Sequence, residues 1–476
     1  MPLDGLQNKY AVPKPGSTEL RLVVDHSAGP FSLNSMIHHD SVTGFPLNNL
    51  THLGEMLIQE HNTCDLPDGL VVWKSDIADA YRLCPMHPHW QIKQAVQIGG
   101  QYYIDRCNVI GSSASGAIFI AVNSLIAWIA KNKRGIRRLA SYVDDSFGLA
   151  LRDDEEIYPP YGKPFPSPQA RLLHLWDDLG VPHKERKQLS GSPLTIIGIS
   201  VDPNKMAYTL PQDAHDRLTS ELRTWATPRG FRAPVHRWHQ TAGWINWALN
   251  VFPLLRPALN NFYPKISGRT NANQKVWMNN TIREDFTWAL NILAKSDGVL
   301  LLKSLDWSTN DATVTIYCDA CPTGMGFWYP DLHLGFYAAT PPDVDAEFIF
   351  YFEALCVLCA LRDACRHSPP NGRLVLYTDN HNCVDMFNTL RALPEHNLLL
   401  RAAIDLLTDN HHVMRVLHVP GTENQVADAL SRRDFARAIE LDPELVINPF
   451  EPYRLLRQDK SLSLQPPRDT LGAFGL

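Results

Sequence analysis

A basic excess is missing from this chain. Its 476 residues hold 44 Lys and Arg against 50 Asp and Glu, which gives a net charge of −6 and a pI of about 6.3. Proteins that bind phosphate backbones ordinarily show the opposite balance. Local patches must therefore supply any such contact, because charge is screened within about 8–10 Å at physiological salt. One patch runs Lys131-Asn132-Lys133-Arg134-Gly135-Ile136-Arg137-Arg138, and it reads equally well as a solvated helix end. No apolar run approaches the length of a bilayer span, and no signal peptide opens the chain. An intracellular setting is expected, with nucleus and cytoplasm both open and no membrane partner. Cysteine is scarce and odd in number, nine in all, and nothing suggests a secreted disulfide framework. Cys318-x-x-Cys321 and Cys356-x-x-Cys359 have zinc-ligand spacing. The first pair sits on a strand end, where residues three apart point to opposite faces, and the second on an apolar helical stripe. Reduced core thiols are expected at all four.

What is present is a set of acids in apolar surroundings. Tyr142-Val143-Asp144-Asp145 lies between the runs Arg138–Ser141 and Phe147–Ala150. Two short strands with a turn between them form a hairpin that presents acids at its tip. Adjacent acids repel, and a divalent metal is the usual reason for them to coexist. Upstream, the apolar strand Val71-Val72-Trp73 runs into Asp76. An acid there is costly unless paired or ligated. Asp76, Asp144 and Asp145 on neighbouring strands could share two Mg²⁺ ions. Two metals roughly 3.5–4 Å apart stabilise the attacking and leaving oxygens of phosphoryl transfer, and Mg²⁺ suits few carboxylates plus substrate phosphates.

Lys74–Tyr81 (KSDIADAY) and Tyr142–Asp145 (YVDD), in this order, resemble the first and third catalytic motifs of reverse transcriptases. Arg21–Asp25 with Ser32–Asn34 is similar to the segment of the fingers that contacts incoming nucleotide. Asn108–Ala114 is similar to the template-and-nucleotide loop before the long palm helix. Leu179-Gly180-Val181 with Lys187 looks like the motif whose lysine sits near the triphosphate, and Ile196–Asp202 like the primer-grip hairpin. Spacing and phrasing, with Gln240–Gly243 through Arg256-Pro257, are closest to DIRS-type retrotransposons and more distantly to gypsy-type elements. The resemblance implies that Asp76, Asp144 and Asp145 hold metal. It implies that Arg21 pairs with phosphate, that Tyr81 excludes a 2′-hydroxyl by volume, and that Gly111 allows close backbone approach to the base pair. Lys187 would stabilise the leaving pyrophosphate. Read singly, Arg21 is also an ordinary strand charge, Tyr81 a core aromatic, and Lys187 part of the solvated run Lys184–Lys187.

A second acidic set fills the last third. Thr313–Asp319 alternates with period two. Gly324, Gly326 and Leu334–Ala338 suggest two further strands, and 346–366 one helix carrying Glu353. Leu374–Asp379 and Met414–Pro420 read as strands, and Asn424–Arg433 starts a final helix carrying Asp428. The pieces YCDACPTGMGF, FEALCVLCAL, YTDN and HVPGTENQVADALSR resemble the four acidic motifs of ribonuclease H. That implies metal binding by Asp319, Glu353 and Asp379, completed by Asp428, and hydrolysis of the RNA strand of an RNA–DNA hybrid. The loop Gly421-Thr422-Glu423 lacks the histidine some members carry there, and His418 reads as structural.

The fold implied is an α+β multidomain chain. A right-hand polymerase comes first, with fingers and palm over 1–210 and a helical thumb or connection over 211–305. An α/β ribonuclease H-like domain with a mixed five-stranded sheet covers 312–438, and 439–476 is a partly ordered tail. Asp153–Glu156 and the proline-rich stretch to Pro168 read as a surface insertion. The expected function is an RNA-directed DNA polymerase with a fused ribonuclease H. Its cofactor is Mg²⁺, or Mn²⁺ in its place, two ions per site. Its partners are RNA template, DNA primer, RNA–DNA hybrid and deoxynucleoside triphosphates. One rival is a decayed or repurposed retroelement protein that binds nucleic acid without polymerase activity, and another keeps the nuclease alone. All seven acids are present, which speaks against decay. The short segment before Arg21 and the missing glutamine-proline features near Gly111 speak for it.

Overall fold

The computed structural model describes residues 9–13, 20–27, 29, 31–45, 47–63, 69–98, 100–226, 230–296, 298–301, 306–342 and 348–454. They form two compact units. One draws on 1–218, 250–252 and 297–307, the other on 219–249, 253–296 and 308–476.

The first unit is built on β1 (Leu70–Asp76), the helix α1 (Ser113–Lys133), β2 (Leu139–Tyr142) and β3 (Asp145–Leu151). The hairpin of β4 (Glu155–Tyr158) and β5 (Lys163–Pro166), the helix α2 (Ser167–Leu179) and β6 (Leu189–Gly191) follow. The sheet order is β6-β1-β3-β2, antiparallel throughout. Trp73, Phe119, Trp176 and other apolar side chains fill its core. Proline early in α2 and Gly180 just past its end, at φ 69°, fix the limits of that helix. The stretch expected to be a surface insertion is folded into this core. Tyr158 is fully buried and Phe165 nearly so, because the hairpin turns one aromatic face inward.

Gly111 has φ +115°, and a Cβ there would sit 2.0 Å from the Val24 carbonyl oxygen. The close approach it permits is to the strand Leu20–Val24 of its own chain. Asn34 ties the two segments, donating to the Gly111 carbonyl at 2.9 Å and accepting from the Ser113 amide at 2.9 Å. The sequence reading expected no apolar run as long as a bilayer span, and α1 corrects it. An 18-residue window of this 21-residue helix reaches a mean hydropathy of 1.7, and only a third of that window is buried. By length and composition it is long and apolar enough to cross a membrane. Ile118, Val122, Leu125 and Trp128 are exposed along it.

In the second unit the helix α3 (Asn280–Lys295) starts at Asn279, whose side chain accepts from the Ile282 amide. The sheet strands are β7 (Val314–Cys321), β8 (Gly324–Tyr329) and β9 (Leu334–Ala339). Next come α4 (Ile349–His367), β10 (Arg373–Thr378), α5 (His381–Thr389), α6 (Asn397–Asp409) and β11 (Val413–His418). Then α7 (Gln425–Ser431), α8 (Phe435–Leu441) and β12 (Val446–Pro449) close the described chain. The order is β11-β10-β7-β8-β9-β12. β7-β8-β9 are antiparallel, while β10, β11 and β12 join in parallel. This mixed sheet has six strands, not the expected five. The sixth comes from residues read as tail, which cover the otherwise open edge of β9. The expected single last helix is two, because Arg433 takes φ 60° and Asp434 caps α8.

A buried polar knot joins α3 to α6. Asp285 is fully buried and accepts from Asn261 at 2.7 Å, Asn397 at 3.1 Å and Arg401 at 3.0 Å. Burial pushes its carboxyl up to about 6, against the pull of Asn261 and Arg401. Above pH 6 it is ionised and neutralises Arg401, whose guanidinium also lies 5.4 Å from the Trp288 ring. Asp285→Ala strands that cation, and a loss of about 3–5 kcal/mol is expected in urea unfolding at pH 7.5. A loss under about 1 kcal/mol would show that Arg401 finds water instead.

Candidate active sites

Three carboxylates of the second unit converge from separate elements. Asp319 lies on β7, Glu353 on α4 and Asp379 just past β10. One oxygen from each lies within 4.8 Å of the others. Among the described residues no other group of three His, Cys, Asp or Glu meets that criterion. Local sequence explains the placement. Asn380 caps α5 by accepting from the amides of Asn382 and Cys383, and so fixes the turn at Asp379. Gly326 stands opposite Asp319 on β8, and a Cβ there would come 2.6 Å from the Ser431 amide nitrogen. The bare backbone lets α7 lie against the sheet, and Ser431 on α7 donates to Asp319 Oδ2 at 2.5 Å.

Asp319 and Glu353 are buried. Burial, outweighing the Ser431 hydrogen bond and joined by repulsion from Asp379 and Asp428, pushes Asp319 up to about 7. Burial, then repulsion from Asp319 and Asp379, pushes Glu353 up to about 9. Glu353 Oε2 is buried without a hydrogen-bond partner. Asp428 stands apart from the trio. It raises Asp319 through its charge but accepts from Arg432 Nε at 2.7 Å on the rim. His418 stacks face to face on His381, centroids 3.8 Å apart, and both are exposed. Cys318, Cys321, Cys356 and Cys359 are free and buried, and Cys356 donates to the Gly326 carbonyl at 3.3 Å.

In the first unit Asp76 and Asp145 are cross-strand partners at the end of β1 and the start of β3. Val143 and Asp144 form the turn, since Tyr142 already pairs with Asp145. Val143 has φ +54°, a strained conformation for a β-branched residue. Asn123 of α1 holds it by donating to its carbonyl at 2.8 Å. Burial, then the charges of Asp145 and Asp76, raises the Asp144 carboxyl. Two lysines answer the negative charge. Lys187 Nζ lies 3.1 Å from Asp76 Oδ2, and Lys74 Nζ lies 3.0 Å from Asp145 Oδ2. These ion pairs draw oxygens of Asp76 and Asp145 toward nitrogen, and the three acids do not form a set as tight as that of the second unit.

Tyr81 packs edge-on against Phe119, centroids 6.0 Å apart, beside the core. Arg21 lies in the strand Leu20–Val24, and its side chain is outside the described residues. Of the basic patch, Arg134 pairs with Asp178 and Arg138 with Glu60, while Lys133 lies 6.0 Å from the Trp128 ring. Sequence reasoning missed Lys74, Ser431 and Asn123. Lys74 had a signal: it shares a strand face with Asp76, two residues on, and lies diagonal to Asp145 across the ladder.

No protein-family model matches the chain, and no curated protein matches it. Among solved structures it is similar to a foamy viral protease-reverse transcriptase. For the dRH form with double-stranded DNA the TM-score is 0.46 at 15% identity, over 87% of this chain and 65% of that one. For the complex with RNA/DNA hybrid it is 0.45 at 14%, over 87% and 50%. For the complex with double-stranded DNA it is 0.46 at 16%, over 95% and 79%. The chain thus spans less than two thirds of the first two. A likeness with TM-scores below 0.5 carries no argument about activity, which rests on the carboxylates themselves.

Proposed function

We propose that the chain is an RNA-directed DNA polymerase fused to a ribonuclease that degrades the RNA strand of the hybrid, from a retrotransposon of DIRS type or, more distantly, gypsy type. The observation that carries this reading is the meeting of Asp319, Glu353 and Asp379, brought together from three elements at sequence distances of tens of residues. Acids held this close relieve their repulsion by keeping protons or by sharing a cation. The residues fit one. All three donors are hard oxygens, as Mg²⁺ or Mn²⁺ prefers, and the unpartnered Glu353 Oε2 is an oxygen awaiting a ligand. The cross-strand pair Asp76 and Asp145, with Asp144 beside it, supports the polymerase half. The domain limits proposed are fingers and palm over 1–210, thumb or connection over 211–305 and nuclease over 312–438.

When bound, a pair of divalent cations at each set would polarise the reacting phosphate and ease deprotonation of the attacking oxygen. The chain's own residues do the rest. Ser431 fixes the Asp319 carboxylate by donating to one of its oxygens. Asp428 would complete the set on the exposed rim. In the first unit Lys187 brings a mobile ammonium beside Asp76, where it can neutralise a triphosphate. Tyr81, pinned by Phe119, would stand under the sugar and exclude a 2′-hydroxyl. Gly111 keeps the loop before α1 close to the strand that carries Arg21. The substrates proposed are RNA template, DNA primer, deoxynucleoside triphosphates and RNA–DNA hybrid. Primer extension on RNA and cleavage of labelled hybrid RNA, both with Mg²⁺, test the two halves separately.

A second reading keeps the nuclease alone. The ion pairs of Lys187 with Asp76 and Lys74 with Asp145 favour it, since a carboxylate satisfied by lysine needs no metal. Hybrid cleavage without extension would select it.

A further inference from the structure

The β4–β5 hairpin holds the segment that carries Lys187 at two points. Tyr161, in the turn of the hairpin, lies 2.6 Å through its hydroxyl from His183 Nδ1. Lys163, on β5, pairs with Glu185. His183 Nε2 lies 3.2 Å from Asp177 Oδ1 on α2, and Tyr158 donates to the other oxygen of that carboxylate. A neutral imidazole satisfies every one of these contacts: Nε2–H donates to Asp177, and Nδ1 accepts from Tyr161. The tautomer follows from the network. Burial, then the charge of Asp177, raises the Tyr161 hydroxyl and keeps it a donor.

The other side of the segment grips the catalytic strand. His183 bridges to Ile77, and the Ala78 amide donates to the Pro182 carbonyl at 2.8 Å. The 3₁₀ turn Glu185–Lys187 follows, with the Lys187 amide bonded to the Lys184 carbonyl. Lys187 then reaches Asp76 Oδ2 at 3.1 Å, and Gln188 reaches the Asp76 carbonyl at 3.4 Å. A four-carbon ammonium arm has ample rotamer freedom. Its aim is set by where the turn is held.

We infer that Tyr161 and Lys163 are positioning residues: through His183 and Glu185 the β4–β5 hairpin clamps the 182–188 segment and aims Lys187 at Asp76. This rests on the polymerase reading for its catalytic consequence but not for its geometry. Without the Tyr161 hydroxyl a buried acceptor on His183 is left unpaired, a loss sufficient to shift the held population roughly fivefold.

Two measurements test it on the full chain. The first needs no activity. Lysine acylation by a limiting acetylating reagent is read by mass spectrometry, with exposed Lys205 as internal reference. The rate at Lys187 is expected to rise about threefold or more in Tyr161→Phe, which keeps the ring, and in Lys163→Gln, which alters a surface group. Unchanged rates in both variants overturn the clamp. The second measures nucleotide addition. Tyr161→Phe is expected to lower kcat about fivefold with KM for primer–template unchanged, and to cost nothing further in a Lys187→Gln background. Equal losses in both backgrounds mean that Tyr161 acts only on the fold, which overturns the inference. No extension by the unaltered chain overturns the polymerase reading instead, and the acylation rates alone then decide the clamp.

Discussion

Cleavage of hybrid RNA is expected to fall about a thousandfold or more in Asp379→Asn, with primer extension unchanged. Asp379 is the half-buried member of the trio and sits where β10 gives way to α5. Asparagine keeps its shape and leaves the Asn380 cap intact, so the fold survives. What disappears is one negative charge at the point where Asp319 and Glu353 already repel each other. The trio then keeps two acids, both of which prefer their protons. Cleavage measured under single-turnover conditions at saturating Mg²⁺ is the test. Retention of a tenth or more of the rate would remove Asp379 from the chemistry.

Asp144→Asn is expected to do the converse, with extension on an RNA template down about a thousandfold or more and hybrid cleavage intact. The tip of the hairpin makes this substitution informative. Burial and two neighbouring acids disfavour the Asp144 charge, so its removal relieves repulsion, while the asparagine oxygen can still accept the backbone hydrogen bond that the carboxylate accepts. The melting temperature should stay level or rise. Loss of extension together with a lowered melting temperature would point to damage at the strained Val143 turn and count against a catalytic role.

The two halves of the chain were legible to different depths. Apolar runs and the acidic turn between them found β1, β2 and β3, because each is a local pattern. The same logic placed the ends of β7 and β10 beside their acids. Contacts between distant residues left no local trace. Asp285 and Arg401 lie 116 positions apart, and nothing near either one names the other. Lys187 reads as part of a solvated charged run until Asp76 is seen 3.1 Å away. Tyr158 to Pro168 looked like surface because proline and charge crowd it, yet Tyr158 is in the core. Proline confined to turns and to an edge hairpin is compatible with burial of the aromatic residues between. β12 was missed because four residues with a terminal proline make a weak strand on their own. Pairing along β9 supplies what propensity does not. The break at Arg433 had no signal, since arginine rarely takes the left-handed conformation it adopts there.

The claim on which the rest depends is that the trio holds a divalent cation, and melting temperature against pH tests it directly. Asp319 is pushed from 3.8 up to about 7 and Glu353 from 4.5 up to about 9. The folded state therefore binds more protons than the unfolded one. Stability from these groups is greatest below pH 4 and is lost as pH rises through 7 and 9, at about 1.4 kcal/mol per pH unit for each group still titrating. A cation replaces those protons, so its stabilisation grows with pH. In chelator the melting temperature should fall between pH 6 and pH 8.5, and Glu353→Gln should flatten the fall. Millimolar Mg²⁺ should raise it more at pH 8.5 than at pH 6 in the unaltered chain, and little in Glu353→Gln. A melting temperature indifferent to Mg²⁺ and Mn²⁺ at pH 8.5 would contradict the account.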